Sequence, residues 1–194
     1  MLTNNYSLSA RNIRYAIASG NSRKFLVSSF YREVESINLG KYFYADVEKL
    51  LNEVLEIHAG IRPDIFIAGT MKYTPEELKK MFADEKYLIY VAVDDRDEVL
   101  GYAFCCKESR PFSHNMVQFT SLFIDDLCVD ARARGMHVGQ RLFEHVKQEA
   151  RKLGCYEVTL NVWQGNDSAI AFYQKMGLKV QEMRMEYILD DEKK

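Results

Sequence analysis

Hydrophobic residues in the first half of the chain recur at strand and helix spacings. Residues 12–18 alternate enough for a first strand, and Gly20 begins a turn after it. Residues 22–37 and 46–59 carry apolar side chains at intervals of three and four, which predicts two helices. Thr74, followed by proline and two glutamates, has the pattern of an N-cap and an acidic first turn, which predicts a third, short helix.

The second half alternates strands with helices. Residues 87–93 and 99–106 are β-prone runs separated by a polar loop and predict an antiparallel hairpin. The later elements are a strand over 119–129, a helix from 138, a strand over 156–162, a helix capped near 166 and a last strand over 178–189. This order predicts an α/β (α+β) fold, a mixed sheet with helices on its faces.

Length and composition indicate one folding unit. The chain has 194 residues, of which 47% are hydrophobic and 28% charged, the profile of a globular protein. It has 3 prolines and no low-complexity tract, so nothing in it is typical of an interdomain linker. We therefore expect residues 1–194 to form a single domain.

The charge balance and the N-terminal sequence indicate which classes of partner and which compartment to expect. The 26 basic and 28 acidic residues are balanced, so we expect no nucleic-acid partner. No segment approaches the ~20 consecutive apolar residues of a membrane span, and the N-terminus lacks a basic and apolar leader. The 4 cysteines lack zinc-site or redox spacing, so we expect buried thiols, no metal and a cytoplasmic protein.

The segment from Asp130 to Gln140 lies between a predicted strand and a predicted helix. Its glycines and the amides of a helix start favour phosphate binding, to which Arg132 and Arg134 could add charged hydrogen bonds. The alternative is a surface turn that the glycines only shape. The segment lacks the ending of a Walker loop and the spacing of the dinucleotide fingerprint, which excludes both common nucleotide motifs.

Two motifs in this half of the chain resemble one enzyme family. The run from Arg134 to Gly139 resembles the Arg/Gln-x-x-Gly-x-Gly/Ala signature of the GNAT superfamily of acyl-CoA-dependent N-acetyltransferases. His137 stands where that signature has a glycine, and a side chain there could narrow the pyrophosphate loop. A second signature of the family is similar to the pattern formed by Asn166, Ala169, Phe172, Tyr173, Gly177 and Leu178. The resemblance covers residues 87–189.

This resemblance implies a GNAT fold, with a mostly antiparallel sheet that splays at the cofactor site. Acetyl-CoA is the implied co-substrate. Main-chain groups of the splayed strand would hold its pantetheine arm, and loop amides its pyrophosphate. Asn166 would hold the pantetheine or only cap its helix. The implied cofactor residues are Leu127, Cys128, Val129, Arg134, Gly135, Met136, His137, Val138, Gly139, Gln140, Asn166 and Tyr173.

The same resemblance assigns the proton transfers. Tyr173 would be the general acid that protonates the leaving thiolate, or an aromatic residue that only packs beside Phe172. Asp125 and Asp126 interrupt an apolar strand and could accept the proton of an attacking amine, directly or through water. Because neighbours on a strand face opposite sides, we expect only one of the two acids in the pocket. The alternative is a surface acid and an acid paired with arginine.

The residues around the two acids also resemble the corresponding strand of diamine and polyamine acetyltransferases. We therefore expect acetyl transfer to a small cationic amine by direct attack in a ternary complex. The first two helices and residues 62–66 would wall the acceptor pocket, and His58, His114 and His145 are interpreted as surface or core residues. The alternatives are a protein N-terminal or lysine acetyltransferase and an inactive CoA-binding module. A homodimer is compatible with each.

Overall fold

The computed structural model of the protein describes residues 13–14, 26–27, 39–94, 96 and 98–189. Side chains are described from Tyr44 onward. Within these residues, six strands form one mixed sheet. The strands are β1 (Ile13–Arg14), β2 (Leu26–Val27), β3 (Tyr87–Val93), β4 (Val99–Ser109), β5 (Thr120–Val129) and β6 (Glu157–Leu160). The helices are α1 (Leu39–Ile61), α2 (Pro75–Ala83), α3 (Val138–Lys152) and α4 (Asp167–Lys175).

The sheet is mostly antiparallel, as predicted. Its order is β1-β3-β4-β5-β6, and β2 also pairs with β3. The central pairs β3 with β4 and β4 with β5 are antiparallel, whereas β1 with β3 and β5 with β6 are parallel. The predicted hairpin is therefore confirmed.

Helices cover both faces of the sheet because its central strands alternate apolar side chains between two cores. On one face, Leu142 and Val146 of α3 pack with Tyr90 and Ile124. On the other, α1 and α2 pack against Tyr102 and other residues of β3 and β4. Burying a leucine-sized side chain contributes about 1.5–3 kcal/mol, so both cores stabilise the sheet.

Local signals fix the start of α2 as predicted. The amide of Glu77 donates to Thr74 Oγ1 at 3.3 Å, and the amide of Thr74 donates to Glu77 Oε2 at 2.8 Å. Pro75 occupies the first turn, where its missing N–H costs no hydrogen bond. The capping box fixes the chain direction just after residues 71–73.

Two predictions near the N-terminus are only partly tested. The strand predicted over 12–18 is present at Ile13–Arg14, and its other residues lie outside the described ones. The helix predicted over 22–37 is wrong at Leu26–Val27, which pair with Ala92 and Val93 as a strand. The remainder of 22–37 lies outside the described residues. The helix predicted over 46–59 is confirmed as α1, which begins earlier, at Leu39.

The last predicted strand, 178–189, is not a strand in the structure. Its apolar alternation suits a strand, but a strand also needs a neighbour to hydrogen-bond, and β6 ends at Leu160 without pairing to it. Five apolar side chains are 76–87% exposed along this segment: Val180, Met183, Met185, Tyr187 and Leu189.

The cysteines match their prediction in part. Cys105 and Cys128 are buried, whereas Cys106 and Cys155 are only partly buried, and all four are free thiols. Among the described residues, no helix is long and apolar enough to span a membrane.

Candidate active site

A β-bulge in β5 places the two acids. Phe104 of β4 pairs with Asp126 and Cys105 pairs with Ile124, so Asp125 is an extra residue without a partner in β4. A bulge interrupts the alternation of side chains between the two faces and re-aims them. The Asp126 side chain is 6% exposed and that of Asp125 is 43% exposed.

Both acids contact one ammonium group. Lys72 Nζ donates to Asp125 Oδ2 and to Asp126 Oδ2, each at 3.1 Å. The Tyr73 hydroxyl also donates to Asp125 Oδ2, at 3.2 Å. Only Asp126 is buried, as expected for one of the two acids, although the exposed Asp125 contacts the same ammonium. The alternative pairing with arginine is wrong, since the partner is a lysine.

Burial and charge set the proton affinities in this cluster. Burial raises the pKa of Asp126, and the ammonium of Lys72 opposes that rise. For Lys72, burial alone would lower the pKa, but the charges of Asp126 and Asp125 outweigh it and hold the pKa above its usual range. A carboxylate whose pKa is raised by burial, as in Asp126, accepts a proton more readily than a carboxylate in water.

Two further side chains of this cluster come from other elements. Tyr102 of β4 is buried, and burial followed by the charge of Asp126 raises its hydroxyl pKa well above the usual value. His58 lies in the last turn of α1. Burial lowers the pKa of its imidazole, the charge of Asp126 opposes that change, and Lys72 adds to it. The charge of Asp126 therefore acts on His58. The sequence-based interpretation of His58 as a surface or core residue did not include this interaction.

Tyr173 faces the same region from α4. Its ring centroid lies 5.1 Å from that of Phe172 and 6.5 Å from that of Phe143. Burial raises the pKa of its hydroxyl, and the charge of Asp126 raises it further. The hydroxyl therefore keeps its proton at neutral pH and remains able to donate it.

The segment between β5 and α3 forms a loop with two left-handed residues. Gly135 has φ +78°, and His137 has φ +62°, a conformation that L side chains seldom adopt. This explains why glycine is usual at the position of His137 in the signature. His137 is the N-cap of α3 and makes no side-chain hydrogen bond to the helix, so the first-turn amides of α3 lack a side-chain acceptor from the cap residue.

The other residues of this loop differ in how far their side chains are buried. Val138 is buried and Met136 is partly buried against the α3 core, whereas Arg134 and Gln140 include exposed surface. Arg132 donates to Asp130 Oδ2 at 2.7 Å and lies 3.7 Å from Glu98. Arg132 therefore holds the turn before the loop by its ion pair with Asp130.

Gly139 holds the loop close to two other elements. A Cβ at this position would lie 3.3 Å from Val129 Cγ2 and 3.4 Å from Phe172 Cζ. Contacts at this distance leave little space for a side chain, so glycine allows α3, the end of β5 and α4 to meet. The loop, the strand end and Phe172 are thus neighbours.

The sheet opens along the second half of β5. Pairing between β5 and β6 covers Ser121 to Ile124, and β6 ends at Leu160. Leu127, Cys128 and Val129 pair with β4 on one side and have no β6 residue on the other. The thiol of Cys128 points into the α1 and α2 core, where burial raises its pKa to about 12. This splayed edge presents main-chain groups rather than a reactive thiol.

Asn166 caps α4, one of its two predicted roles. Its Oδ1 accepts from the amide of Ala169 at 3.3 Å and from the Ser168 hydroxyl at 3.2 Å. These bonds use the oxygen only. The side-chain NH₂ therefore remains a donor group with which Asn166 could also contact a ligand.

Aromatic side chains border the site beyond the acids. Phe66 lies 5.2 Å from His58 and 5.4 Å from Trp163, between ring centroids. Arg62 lies over Trp163 and donates to Glu186 Oε1 at 2.6 Å. That residues 62–66 wall the acceptor pocket remains a prediction.

Sequence reasoning missed four members of the cluster: His58, Lys72, Tyr73 and Tyr102. Each lies far along the chain from Asp126, and no local spacing connects them. The one usable signal was the requirement that a buried acid have a cationic partner. In the part of the chain that the structure describes, no group of three or more histidine, cysteine or acidic residues is placed to hold a metal ion.

Comparison with known proteins gives the following matches. The sequence profile described as "Acetyltransferase (GNAT) family" matches residues 51–178, well over half of the chain. A peptidyl-lysine N-acetyltransferase, YjaB of Salmonella typhimurium, is 33% identical over 115 residues, which cover 59% of this chain and 66% of that protein. Glucosamine 6-phosphate N-acetyltransferase 1 of Oryza sativa subsp. japonica is 31% identical over 110 residues, 57% of this chain and 62% of that one. The chain thus spans slightly less than two thirds of these curated relatives.

Among solved structures, a mutant of the BH1408 protein from Bacillus halodurans has a similar fold. The TM-score is 0.73 at 30% sequence identity, over 78% of this chain and 95% of that one. The similarity therefore includes most of the sheet and helices described above.

Proposed function

Because the chain belongs to the acetyltransferase (GNAT) family, we propose that it transfers an acetyl group from acetyl-CoA to a primary amine. The acceptor amine attacks the thioester directly while both substrates are bound. Acetyl-CoA supplies the activated acyl group, and the chain's own residues bind, orient and move protons. All four cysteines are free thiols, which suits a reducing compartment and supports work in the cytoplasm.

The observation that carries this proposal is the position of the two carboxylates. Asp125 and Asp126 are the first residues of β5 that β6 leaves unpaired, and they already hold a primary ammonium at 3.1 Å. An acceptor amine must lose a proton before it can attack a carbonyl carbon. Asp126 is the proposed base, because burial raises its pKa towards the range in which a carboxylate accepts protons efficiently.

The cofactor would lie along the splayed edge and the start of α3. Main-chain groups of Leu127, Cys128 and Val129 are proposed to hydrogen-bond the pantetheine arm. The loop from Arg134 to Gln140 is proposed to hold the pyrophosphate, because uncapped amides at a helix start favour anions. That loop comprises Arg134, Gly135, Met136, His137, Val138, Gly139 and Gln140. Asn166 would contact the pantetheine through its NH₂ group.

Tyr173 is the proposed general acid. Its raised pKa keeps the hydroxyl protonated, and the charge of Asp126 contributes to that rise, which supports a position near the acids. The adjacent Phe172 packs beside Gly139 of the cofactor loop, which supports a position near the cofactor. A proton from this hydroxyl would neutralise the sulfur of the leaving thiolate.

The acceptor is proposed to be a small cationic amine such as a diamine or polyamine. The pair of acids supports this choice, since one carboxylate can take the reacting amine while the other holds a second ammonium. A protein lysine is the second candidate, because the ammonium now between the acids belongs to a lysine side chain. The name of the Salmonella relative, a peptidyl-lysine N-acetyltransferase, points to the same class.

CoA release measured with a panel of amines tests the proposal. The panel includes diamines, monoamines, free amino acids, an amino-sugar phosphate and a lysine peptide. We expect kcat/KM to be highest for diamines and to fall in Asp126→Asn, whereas Asp46→Asn, an exposed acid on α1, should behave as wild type. Highest kcat/KM for the lysine peptide would select the second acceptor class. Preference for anionic amines, with Asp126→Asn fully active, would contradict the role of the acids.

Calorimetry with CoA tests the cofactor site separately. Arg134→Glu should weaken binding by reversing a charge beside the pyrophosphate, and Arg151→Glu makes the same change at the other end of α3 as a control. Tyr173→Phe should bind CoA normally but lose about 10²- to 10⁴-fold in kcat. CoA binding without release for any amine would instead indicate a CoA-binding module that does not catalyse transfer.

A further inference from the structure

Lys72 occupies the place that the proposed function gives to the acceptor amine. Its Nζ lies 3.1 Å from Oδ2 of both Asp125 and Asp126, and 5.3 Å from the centroid of the Tyr73 ring. The side chain comes from an irregular segment between α1 and α2, not from a helix or strand. A nucleophile of the right chemical class is therefore already in contact with the proposed base.

We propose that Lys72 is an acetylation site of the enzyme itself, modified in its own active site when acetyl-CoA is bound. This inference rests on the proposed function, since it uses the same cofactor site and the same acids. The inference adds that the site can accept a lysine side chain as its acetyl acceptor, and that this lysine is Lys72.

The reaction balances with acetyl-CoA as the second reactant. The Lys72 ammonium first gives one proton to Asp126, and the neutral nitrogen then forms a bond to the thioester carbonyl carbon. The C–S bond breaks, and the sulfur takes a proton from the Tyr173 hydroxyl. The nitrogen loses its second proton in forming the amide, which restores the tyrosine. The products are N-acetyl-lysine, CoA and one proton released to solvent.

Without catalysis, Lys72 should react slowly with acetyl-CoA. Its side chain is 31% exposed, whereas that of Lys49 on α1 is 62% exposed. The two carboxylates also hold the pKa of Lys72 above its usual range, which lowers the fraction of neutral amine. Chemical acetylation in solution would therefore modify Lys49 first. Faster modification of Lys72 is a specific sign of catalysis in the site.

The modification would change the charge of the site. Acetylation removes the positive charge of Lys72 and leaves Asp125 and Asp126 without that ion pair. The charge of Asp125, which raises the pKa of Asp126, would then no longer be opposed by Lys72. The modified enzyme would therefore differ from the unmodified one in its proton affinity and in its attraction for cationic acceptors.

The experiment is an incubation of the purified full chain with isotopically labelled acetyl-CoA, followed by peptide mapping over time. We expect Lys72 to be acetylated about tenfold faster than Lys49 or more, because the site holds the reacting groups together. The rate per chain should not change when the protein is diluted tenfold, since the reaction is intramolecular. Tyr173→Phe should slow acetylation of Lys72 by about 10²-fold or more and leave that of Lys49 unchanged.

Lys72→Arg supplies a second measurement. Arginine keeps a cation beside the acids but cannot be acetylated under these conditions. Wild-type protein should release about one CoA per chain without added amine, and this variant only background. Acetylation of Lys72 no faster than that of Lys49, or at a rate that rises with protein concentration, would overturn the inference. If wild type also binds CoA and acetylates added amines, only the inference fails. If it does neither, the proposed function fails as well.

Discussion

Burial and neighbouring charges act on the pKa of Asp126 in opposite directions. Burial raises its pKa, Lys72 lowers it, Asp125 raises it and His58 lowers it. If Asp126 must be ionised to accept a proton, Lys72→Met should raise its pKa and move the acid limb of the kcat/KM profile to higher pH. Measuring kcat/KM for a diamine against pH reports this group in the free enzyme.

Lys49→Met is the matched control for that profile. Lys49 is an exposed lysine on α1 whose partner is Glu53, at 3.9 Å. Its removal should leave the acid limb in place. An acid limb that stays fixed in Lys72→Met as well would show that the group titrating in the profile is not Asp126.

His137 is strained in the left-handed region, at φ +62°. His137→Gly should keep the stability of the protein within about 1 kcal/mol, since glycine adopts this conformation freely but orders more backbone on folding. His137→Val should lose roughly 1–2 kcal/mol or more because a branched side chain fits this conformation poorly. Urea unfolding measures both, and equal stability of the two variants would contradict the assigned conformation.

At the residue scale, sequence analysis found the groups that lie within local motifs. Asp125 and Asp126 were detectable as acids in an apolar strand, and Tyr173 and the loop as parts of a signature. Lys72 was not detectable, because it meets Asp125 only when a segment 53 positions away folds onto β5. Pairing over such distances is decided by packing, which a pattern of neighbours does not contain.

The capping box of α2 controls the element that presents Lys72. Thr74 follows Lys72 by two residues, and its side chain closes the start of α2. Thr74→Ala should lower the free energy of unfolding by about 1 kcal/mol. It should also raise KM for amines, because Lys72 and Tyr73 would lose a fixed anchor beside the acids.

Glu76→Gln is the control for this change. Glu76 is a neighbouring first-turn acid, and Glu77 is the residue that completes the capping box. The control should change stability little, and KM not at all. If Thr74→Ala lowered stability without any change in KM, the cap would hold the helix but not the site.

Elements with a strong local pattern were predicted well. The hairpin of β3 and β4, and the helices α1 to α4, follow from apolar periodicity and caps. The last strand was predicted over 178–189 because its residues alternate, yet alternation establishes only that a segment suits a strand. Whether it becomes one depends on a partner edge, and β6 ends at Leu160.

At the scale of the whole molecule, the segment 178–189 presents apolar side chains to solvent. Met183, Met185, Tyr187 and Leu189 are each more than three-quarters exposed, and extended exposed apolar surfaces commonly mark interfaces. We predict that two copies associate through this segment. Sedimentation at increasing concentration should give a dimer for wild type and a monomer for a Met183→Lys, Met185→Lys double variant.

A charge-preserving control accompanies this prediction. Lys179→Arg changes an exposed position of the same segment without altering its charge or its apolar side chains, and should remain dimeric. A wild-type protein that stays monomeric at high concentration would contradict the predicted homodimer.

The bulge in β5 behaves as an insertion of one residue. Phe104 pairs with Asp126 and Cys105 with Ile124, so deletion of Asp125 would join two residues whose β4 partners are already neighbours. Ile124 would still face α3, and Asp126 would still lie opposite Phe104. The shortened chain should fold and melt no lower than wild type, but lose most of its acetyl transfer. Asp125 would thus be a residue that acetyl transfer requires and that the folding of β5 does not.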